Sequence, residues 1–358
     1  RGGTSPSPTS RAIRSASRTM STDHARSLLR LVNGSMGDPA LYVDYPGRDN
    51  ALLFDAGDNA NLDRQALADL TVVFLTHFHI DHLIGFDRIL RVNLDRDKVL
   101  QVFGPPGTIA NVYRRIKCYE IPYFPFQKLV LRVFEIDPDA RRAWVAELEC
   151  QKRFPEPVVR ESPLPFPKVY SDQEVDVEAA AMEHTVPCLA YALIERAGYC
   201  PDTAKLQSGP LRPGGWIKTV LELIRAGAPG ETPVEIQGGQ FPLERLTRDY
   251  FSRGKGRRIA YVVDTAWTER TQPKLISLAR KAFRLYCDCG YAAAQSAQAT
   301  KHRHMTATQA AELANAAEVE QLVLLHFSVR YHGKPEVLLD EARAIFPNTT
   351  AELTSRTP

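Results

Sequence analysis

The chain has 358 residues, with 44% hydrophobic and 24% charged residues and a formal net charge of +3. This composition is typical of a globular protein and excludes a fibrous or compositionally disordered chain. The nearly balanced charge neither requires nor excludes a nucleic acid partner. No apolar stretch is long enough for a transmembrane helix, so we expect no membrane association.

The first 22 residues differ from the rest of the chain. They carry several arginines and serines and no acidic residue, a composition that resembles an organellar transit peptide. The alternative is that Met20 is the natural start. We expect residues 1–22 to be a disordered tail and residues 23–358 to form the folded domain. The six cysteines contain no CxxC pair, which favours reduced thiols and a cytoplasmic setting, with organellar targeting as the alternative.

Apolar runs alternate with helix-like stretches along the chain, which predicts an α/β fold. In the first third, strands are predicted at 40–43, 52–54, 71–75 and 99–103, and helices at 83–90 and from Thr108. Further strands are predicted at 175–182, 189–194, 259–263, 285–287 and 322–325.

Two segments are predicted to be insertions, at about 121–168 and 199–256. The first holds eight of the 25 prolines, and the second is rich in glycine, proline and basic residues. Long connections of this kind are usually functional lids or peripheral additions.

The most informative motif is His77-Phe-His79-Ile-Asp81-His82, which directly follows the apolar run 72–75. Three imidazoles and a carboxylate within six residues, placed after a buried strand, are the donors that a metal-dependent hydrolytic site requires.

Three further candidate ligands also follow predicted strands: His184, Asp264 and His326. Loops at one end of packed sheets can converge on one pocket, so we expect these side chains to meet the first motif. Imidazole and carboxylate groups bind Zn²⁺, and a carboxylate can bridge two ions and help to generate a hydroxide nucleophile near neutral pH. Asp264 is predicted to be that bridge.

These motifs resemble the metallo-β-lactamase superfamily and, within it, the ribonuclease Z family. His77, His79, Asp81 and His82 match the first metal motif, His184-Thr-Val-Pro a later one, and Asp264 and His326 the last two. The resemblance implies a four-layer αβ/βα sandwich and two Zn²⁺ ions. One ion would be held by His77, His79 and His184, the other by Asp81, His82 and His326, with Asp264 touching both. Mn²⁺ or Fe²⁺ is compatible with the same donors.

The resemblance also implies catalytic residues. Cys287-Asp288-Cys289 and His304-Met305-Thr306 stand where the family pairs an acidic residue with a histidine, with Asp288 replacing the family's glutamate. His304 would protonate the leaving oxygen and Asp288 would orient it. Asp81 is predicted to be both ligand and catalytic residue. A capping box, Thr306 with Gln309, predicts a helix after His304.

Ser328 and Arg330 lie just beyond His326, where the family motif lies close to the scissile phosphate. Arginine binds phosphate oxygens in a bidentate manner, so phosphate binding is one interpretation. The other is a structural arginine that closes a strand-to-helix loop.

Three functions remain open at this stage. The first is a dizinc phosphodiesterase that uses metal-activated hydroxide on RNA and trims precursor tRNA 3′ ends. The second keeps the metal chemistry but acts on small phosphodiesters, cyclic nucleotides or other esters. The third is an RNA-binding protein without catalysis, which the basic run 253–258 would support. A homodimer is also compatible with the family resemblance.

Overall fold

The computed structural model describes residues 27–45 and 50–353, so the predicted tail, 1–22, lies outside the described residues. The chain divides into two compact units. The larger comprises residues 29–44, 50–196 and 257–358, and the smaller consists chiefly of residues 197–256. All the candidate site residues belong to the larger unit.

The first sheet of the larger unit has eight strands in chain order. They are β1 (Leu28–Leu31), β2 (Leu41–Asp44), β3 (Ala51–Phe54), β4 (Leu70–Phe74), β5 (Val99–Gly104), β6 (Val130–Asp137), β7 (Arg142–Glu149) and β8 (Arg160–Glu161). Strands β3 to β6 are parallel, whereas β2 and β3, and β6 to β8, pair in antiparallel fashion.

The second sheet contains β9 (Lys168–Ser171), β10 (Val175–Met182), β11 (Cys188–Glu195), β16 (Arg258–Val262), β17 (Arg284–Asp288), β18 (Leu322–Leu325) and β19 (Thr349–Ala351). Its spatial order is β19-β18-β17-β16-β11-β10-β9. Strands β16 to β19 are parallel. Because β11 is antiparallel to both β10 and β16, the carboxyl ends of β10, β16, β17 and β18 lie at the same edge.

The two sheets pack face to face through aromatic side chains. Phe54, Phe74 and Phe103 lie in register on neighbouring strands of the first sheet. Phe74 contacts Tyr191 and Tyr170 of the second sheet, with ring centroids 5.4 and 5.8 Å apart. Tyr191 is fully buried, and its hydroxyl donates to the Leu75 carbonyl at 2.8 Å. This interface is the central layer boundary of the sandwich.

Helices cover the outer face of each sheet. The first sheet carries α1 (Arg64–Asp69), α2 (Phe86–Asn93) and α3 (Thr108–Lys117), whose apolar sides share one core with Leu53 and Val73. The second sheet carries α7 (Gln272–Ala279), α9 (Ala307–Ala316) and α10 (Glu336–Ile345), which pack on Val262 and Leu324. Because side chains alternate between the two faces of a strand, each sheet buries one face against the other sheet and one against helices. The result is the predicted four-layer arrangement. The remaining helix of this unit is α8 (Ser296–His302).

Within residues 197–256 the smaller unit contains two short pairs of strands and three helices. Its elements are β12 (Gly198–Pro201), α4 (Thr203–Ser208), α5 (Trp216–Arg225), β13 (Pro233–Ile236), β14 (Gly239–Pro242), α6 (Leu243–Tyr250) and β15 (Phe251–Gly254). Strand β12 pairs with β15 and β13 with β14, around a core that includes Trp216, Leu246 and Tyr250. The expected insertion at about 199–256 corresponds to this unit.

The expected insertion at about 121–168 has a different structure. It supplies β6, β7 and β8 to the first sheet rather than an added arm. In β6 the buried residues Leu131 and Val133 belong to the helix-covered core of the first sheet, and β7 returns in register beside β6. The proline-rich ends of the segment hide this pair of strands from a reading of composition alone.

The helix predicted at 83–90 begins later, at Phe86, and Ile80–His82 form a 3-10 turn instead. The reason is a pair of long-range hydrogen bonds: Ala56 N donates to the His82 carbonyl, and Gly85 N donates to the Ala56 carbonyl, both at 2.8 Å. These bonds occupy the His82 carbonyl and the Gly85 N–H, which a helix that began at residue 83 or earlier would use in its own first turns. A Cβ on Gly85 would lie 2.2 Å from the Gly57 carbonyl oxygen, so the close approach requires glycine.

None of the helices formed by residues 27–45 and 50–353 combines the length and the apolar character needed to cross a bilayer.

Removal of the Tyr191 hydroxyl tests the sheet interface. We expect Tyr191→Phe to lower the free energy of unfolding by about 1–3 kcal/mol, because the buried Leu75 carbonyl loses its donor. Urea unfolding of chelator-treated protein measures this loss. The matched control is Tyr199→Phe, whose side chain is exposed and whose midpoint we expect to stay unchanged. Equal midpoints for the two variants would contradict the assignment.

Candidate metal centre

The candidate residues converge at one edge of the two packed sheets. Asp264, Asp288 and His326 stand at the carboxyl ends of the neighbouring parallel strands β16, β17 and β18. His184 follows β10, whose carboxyl end lies at the same edge. His77 follows β4 of the first sheet. Adjacent strand ends therefore deliver these side chains to one place, as the sequence pattern predicts.

Asp264 occupies the centre of the cluster. Its Oδ2 lies 3.5 Å from His77 Nε2, 3.4 Å from His82 Nε2 and 3.7 Å from His184 Nε2. Its Oδ1 faces the other way, 3.0 Å from His326 Nδ1. One carboxylate thus contacts imidazoles that come from both sheets.

The surrounding side chains form two groups of metal-ligand geometry. His77, His79, His184 and Asp264 make the first group, and Asp81, His82 and His326 make the second. In the second group, Asp81 Oδ2 lies 3.5 Å from His82 Nε2 and 3.1 Å from His326 Nε2. Ligand atoms around one tetrahedral ion lie about 3.3 Å apart when each is about 2.0 Å from the metal. The spacing of these atoms matches that geometry.

Hydrogen bonding gives an independent test of fit. The buried atoms His77 Nε2, His82 Nε2 and Asp264 Oδ1 have no hydrogen-bond partner among the described residues. Buried polar atoms are normally satisfied, because leaving one without a partner costs about 1–3 kcal/mol. Imidazole nitrogens and carboxylate oxygens that lie close together without hydrogen bonds between them are arranged as the ligand atoms of a cation site are. The residues therefore fit a metal.

The close packing of these charged and titratable side chains shifts the pKa values of His77 and His82 in opposite directions. Burial, followed by the nearby His82, lowers the pKa of His77 to about 2, so its ring is neutral and able to coordinate a metal. Burial also opposes charge on His82, but Asp55 and Asp264 outweigh it and raise the pKa of His82 to about 10. Metal binding at the second group would displace that proton.

His304 and Asp288 form the predicted dyad. His304 Nδ1 lies 2.9 Å from Asp288 Oδ2, and Met305 N donates to the same oxygen at 3.2 Å. The 2.9 Å contact shows that the aspartate reaches the histidine although it is shorter than the family's glutamate. The Asp288 side chain is fully buried. Burial disfavours charge on His304, but the Asp288 carboxylate prevails and raises its pKa. The predicted capping box of Thr306 and Gln309 is confirmed and begins α9 directly behind the dyad.

Asp288 and His304 also belong to a third cluster, with Asp264 and His326, whose atoms are close enough to hold an ion. The hydrogen bond between Asp288 Oδ2 and His304 Nδ1 already occupies one atom of each residue. Unpartnered atoms do not separate the three groups, because among the described residues Asp264 Oδ1, Asp288 Oδ1 and His326 Nδ1 of this third cluster have no hydrogen-bond partner either. We take the first two groups as the metal candidates because they match the predicted ligand motifs.

Ser328 and Arg330 follow His326 by two and four positions and belong to none of the ligand groups. Ser328 precedes a 3-10 turn, Val329–Tyr331, and its side chain makes no capping hydrogen bond. Arg330 is exposed and lies over the Tyr291 ring, with Cζ 5.3 Å from the centroid. Both are therefore near the cluster without being part of it.

Asp55 is an important residue that sequence reasoning missed. It is fully buried and accepts hydrogen bonds from Thr76 N at 2.7 Å and from the Tyr261 hydroxyl at 3.1 Å. Its Oδ2 lies 2.9 Å from His82 Nδ1. Such a contact fixes the ring so that Nε2 faces the metal position. The available signal was its place directly after β3, the same strand-end position that identifies the other candidates.

Arg303 makes a similar contact to the other half of the cluster. His184 Nδ1 lies 3.2 Å from the Arg303 carbonyl, and the Arg303 guanidinium donates to the His184 carbonyl. This double contact links the loop that carries His304 to the loop that carries His184. It also leaves His184 Nε2 free to face Asp264.

Three strand-end residues of the site, Asp55, Asp264 and His326, have left-handed backbone, with φ of 56°, 52° and 60°. Residues other than glycine in this region cost about 1–3 kcal/mol each, and such strain concentrates at functional sites. The turn directs each side chain back across the strand end and into the cluster.

Asp55→Asn tests the orienting contact. We expect affinity for the metal at the second group to fall about 10- to 100-fold, because His82 loses its carboxylate partner. Isothermal titration with Zn²⁺ measures the change. Asp58→Asn is the matched control, because Asp58 is exposed and lies in the same loop. Unchanged affinity in Asp55→Asn would assign Asp55 a purely structural role.

The chain is similar to proteins of known family and fold. A family model described as "Beta-lactamase superfamily domain" matches residues 50–212. The ribonuclease Z of Deinococcus radiodurans is 31% identical over 326 residues, covering 86% of this chain and 96% of its own length. The ribonuclease Z of Treponema denticola is 27% identical over 309 residues, covering 83% of this chain and 84% of its own length.

Among solved structures, the metallo-β-lactamase fold protein YhfI from Bacillus subtilis is similar, with a TM-score of 0.52 at 15% identity. The match covers 89% of this chain and 93% of that one. It confirms the predicted metallo-β-lactamase fold. Together with the level of identity to the Deinococcus radiodurans enzyme, it leads to one conclusion: this chain belongs to the ribonuclease Z family and is a hydrolase of the metallo-β-lactamase fold.

Proposed function

We propose that the protein is a dizinc endoribonuclease that cleaves precursor tRNA near the 3′ end of the acceptor stem. The observation that carries the proposal is the central position of Asp264, whose Oδ2 lies 3.4–3.7 Å from imidazoles of both ligand groups. A single carboxylate between two sets of donors is the arrangement of a two-metal hydrolytic site. The substrate is inferred from the relatives named ribonuclease Z.

The donor set favours zinc. Five imidazoles and two carboxylates surround the two proposed positions, namely His77, His79, His82, His184, His326, Asp81 and Asp264. Imidazole suits zinc, iron and copper better than magnesium or calcium, which prefer oxygen donors. Zinc is therefore our first choice, with manganese or iron as the alternatives to be tested by metal analysis.

When bound, two such ions supply an activated water and stabilise charge on the phosphate oxygens. The protein's own residues orient the histidines and keep the central carboxylate charged. Asp55 and the Arg303 carbonyl orient His82 and His184 through their Nδ1 atoms. Asp264 sits in a fully buried position, where the surrounding histidines hold its pKa well below the usual value despite burial. It therefore remains a carboxylate throughout the reaction.

His304 is the residue proposed to protonate the leaving oxygen. Its Nδ1 is engaged by Asp288, so Nε2 is the atom that can hold the transferable proton. Its side chain is partly exposed, in contrast to the buried Asp288 behind it. A carboxylate that holds a histidine in one tautomer and stabilises its charged form is the established arrangement for a general acid. Such proton transfer contributes about 10²- to 10⁴-fold to a rate.

Cleavage of an end-labelled precursor tRNA by zinc-loaded protein tests the proposal. We expect one cut near the end of the acceptor stem. His304→Ala should keep its zinc and lose about 10²- to 10⁴-fold in kcat. His79→Ala should lose both zinc and activity, because it removes one ligand of the first group. Metal content by mass spectrometry separates the two causes.

His332→Ala is the matched control, because this histidine lies outside the ligand groups. It should cleave like the wild type and bind two ions per chain. If the tRNA stays intact while a small chromogenic phosphodiester is hydrolysed, the metal chemistry is right and the tRNA substrate is wrong. Failure to bind metal would reject the dizinc assignment altogether.

A further inference from the structure

Arg330 is a free cation held against an aromatic ring at the rim of the metal centre. Its guanidinium Cζ lies 5.3 Å from the centroid of Tyr291, within the range of a cation–π contact. The side chain is exposed, and within residues 27–45 and 50–353 no carboxylate forms an ion pair with it. An arginine that served only to close a loop would be expected to use its donors on the protein.

The backbone around Tyr291 is held by contacts with two other segments of the chain. Its backbone forms an isolated bridge with Thr306, and Ala307 N donates to the Tyr291 carbonyl at 2.9 Å. On the other side, Ala292 N donates to the Tyr331 hydroxyl at 2.9 Å. Thr306 follows His304 by two residues, and Tyr331 adjoins Arg330. The position of Tyr291 is therefore fixed relative to both the dyad and the arginine.

Tyr291 also contacts His304 directly, with ring centroids 6.0 Å apart and planes tilted by 50°. One ring thus touches both the free cation and the residue proposed to donate a proton. The cation–π contact uses none of the guanidinium N–H groups as hydrogen-bond donors to a protein oxygen of the described residues, so they stay available for a planar, bidentate contact with phosphate oxygens.

We propose that Tyr291 is a positioning residue that holds Arg330 ready to bind the non-bridging oxygens of the phosphodiester whose leaving oxygen faces His304. The proposal rests on the function proposed above and adds a residue that the metal and dyad motifs do not include. A free arginine samples many rotamers, and restricting them before the substrate binds reduces the entropy cost of binding.

The test is a double-mutant cycle with Tyr291→Ala, Arg330→Ala and the double variant, assayed on precursor tRNA and on bis(p-nitrophenyl) phosphate. Tyr291→Ala should raise KM about 3- to 30-fold, the size of a cation–π contact, with kcat within about twofold. In the Arg330→Ala background it should add less than about twofold. Tyr291→Phe should restore most of the affinity, because phenylalanine keeps an aromatic face.

Phe126→Ala is the matched control, an exposed aromatic residue outside the cluster. The proposal would be overturned if the KM increases of the two single variants multiplied in the double variant. It would also be overturned if Tyr291→Phe raised KM as much as Tyr291→Ala. A fall in kcat at constant KM would also overturn it, by showing that Tyr291 acts on His304.

Two further measurements separate this proposal from the proposed function. If the wild type hydrolyses only the chromogenic diester, tRNA cleavage is wrong, and the same variants assayed on the diester still decide the role of Tyr291. Fluorescence anisotropy of a labelled RNA with chelator-treated protein gives a readout without catalysis. The same 3- to 30-fold weakening by Tyr291→Ala is expected there, about the size of one cation–π contact, and unchanged RNA affinity would contradict the proposal.

Discussion

The buried carboxylate of Asp264 is the constraint on which the rest of the site depends. A charge in a fully buried position is costly unless other groups compensate for it, and here the compensating groups are imidazoles from three different loops. Those loops can meet only if both sheets are complete and packed through the Phe74–Tyr191 layer. The geometry of the site therefore depends on the packing of the sheets: the aromatic interface positions the strand ends, and the strand ends position the candidate ligands.

The convergence of the candidate ligands could be predicted from sequence because their motifs follow strands that are apolar enough to recognise. His77, Asp264 and His326 directly follow runs that are buried on both faces, and the structure brings all of them together. The pairing of Asp288 with His304 came from family motifs, and a 2.9 Å contact now shows that the aspartate reaches. Local sequence patterns were sufficient to locate a site residue where the strand directly before it determines its position.

Prediction was weaker where a residue's role depends on distant partners. The start of α2 depends on hydrogen bonds from Ala56, and β6 and β7 lie in a segment whose prolines resemble those of a loop. Asp55 and Tyr291 contact His82 and Arg330, which lie 27 and 39 positions away in sequence. No window of sequence contains such a pair, so only the three-dimensional arrangement reveals them.

The spread of the ligands along the chain has a consequence for biosynthesis. The first group is drawn from residues 77 to 264, and the second is completed only by His326, close to the carboxyl end. A ribosome-bound chain can therefore assemble the first sheet and several of these histidines before the second group of donors is complete. A chain cut short before His326 would lack one donor of the second group, so both groups are complete only once the strand that precedes His326 has been made and paired with its neighbour.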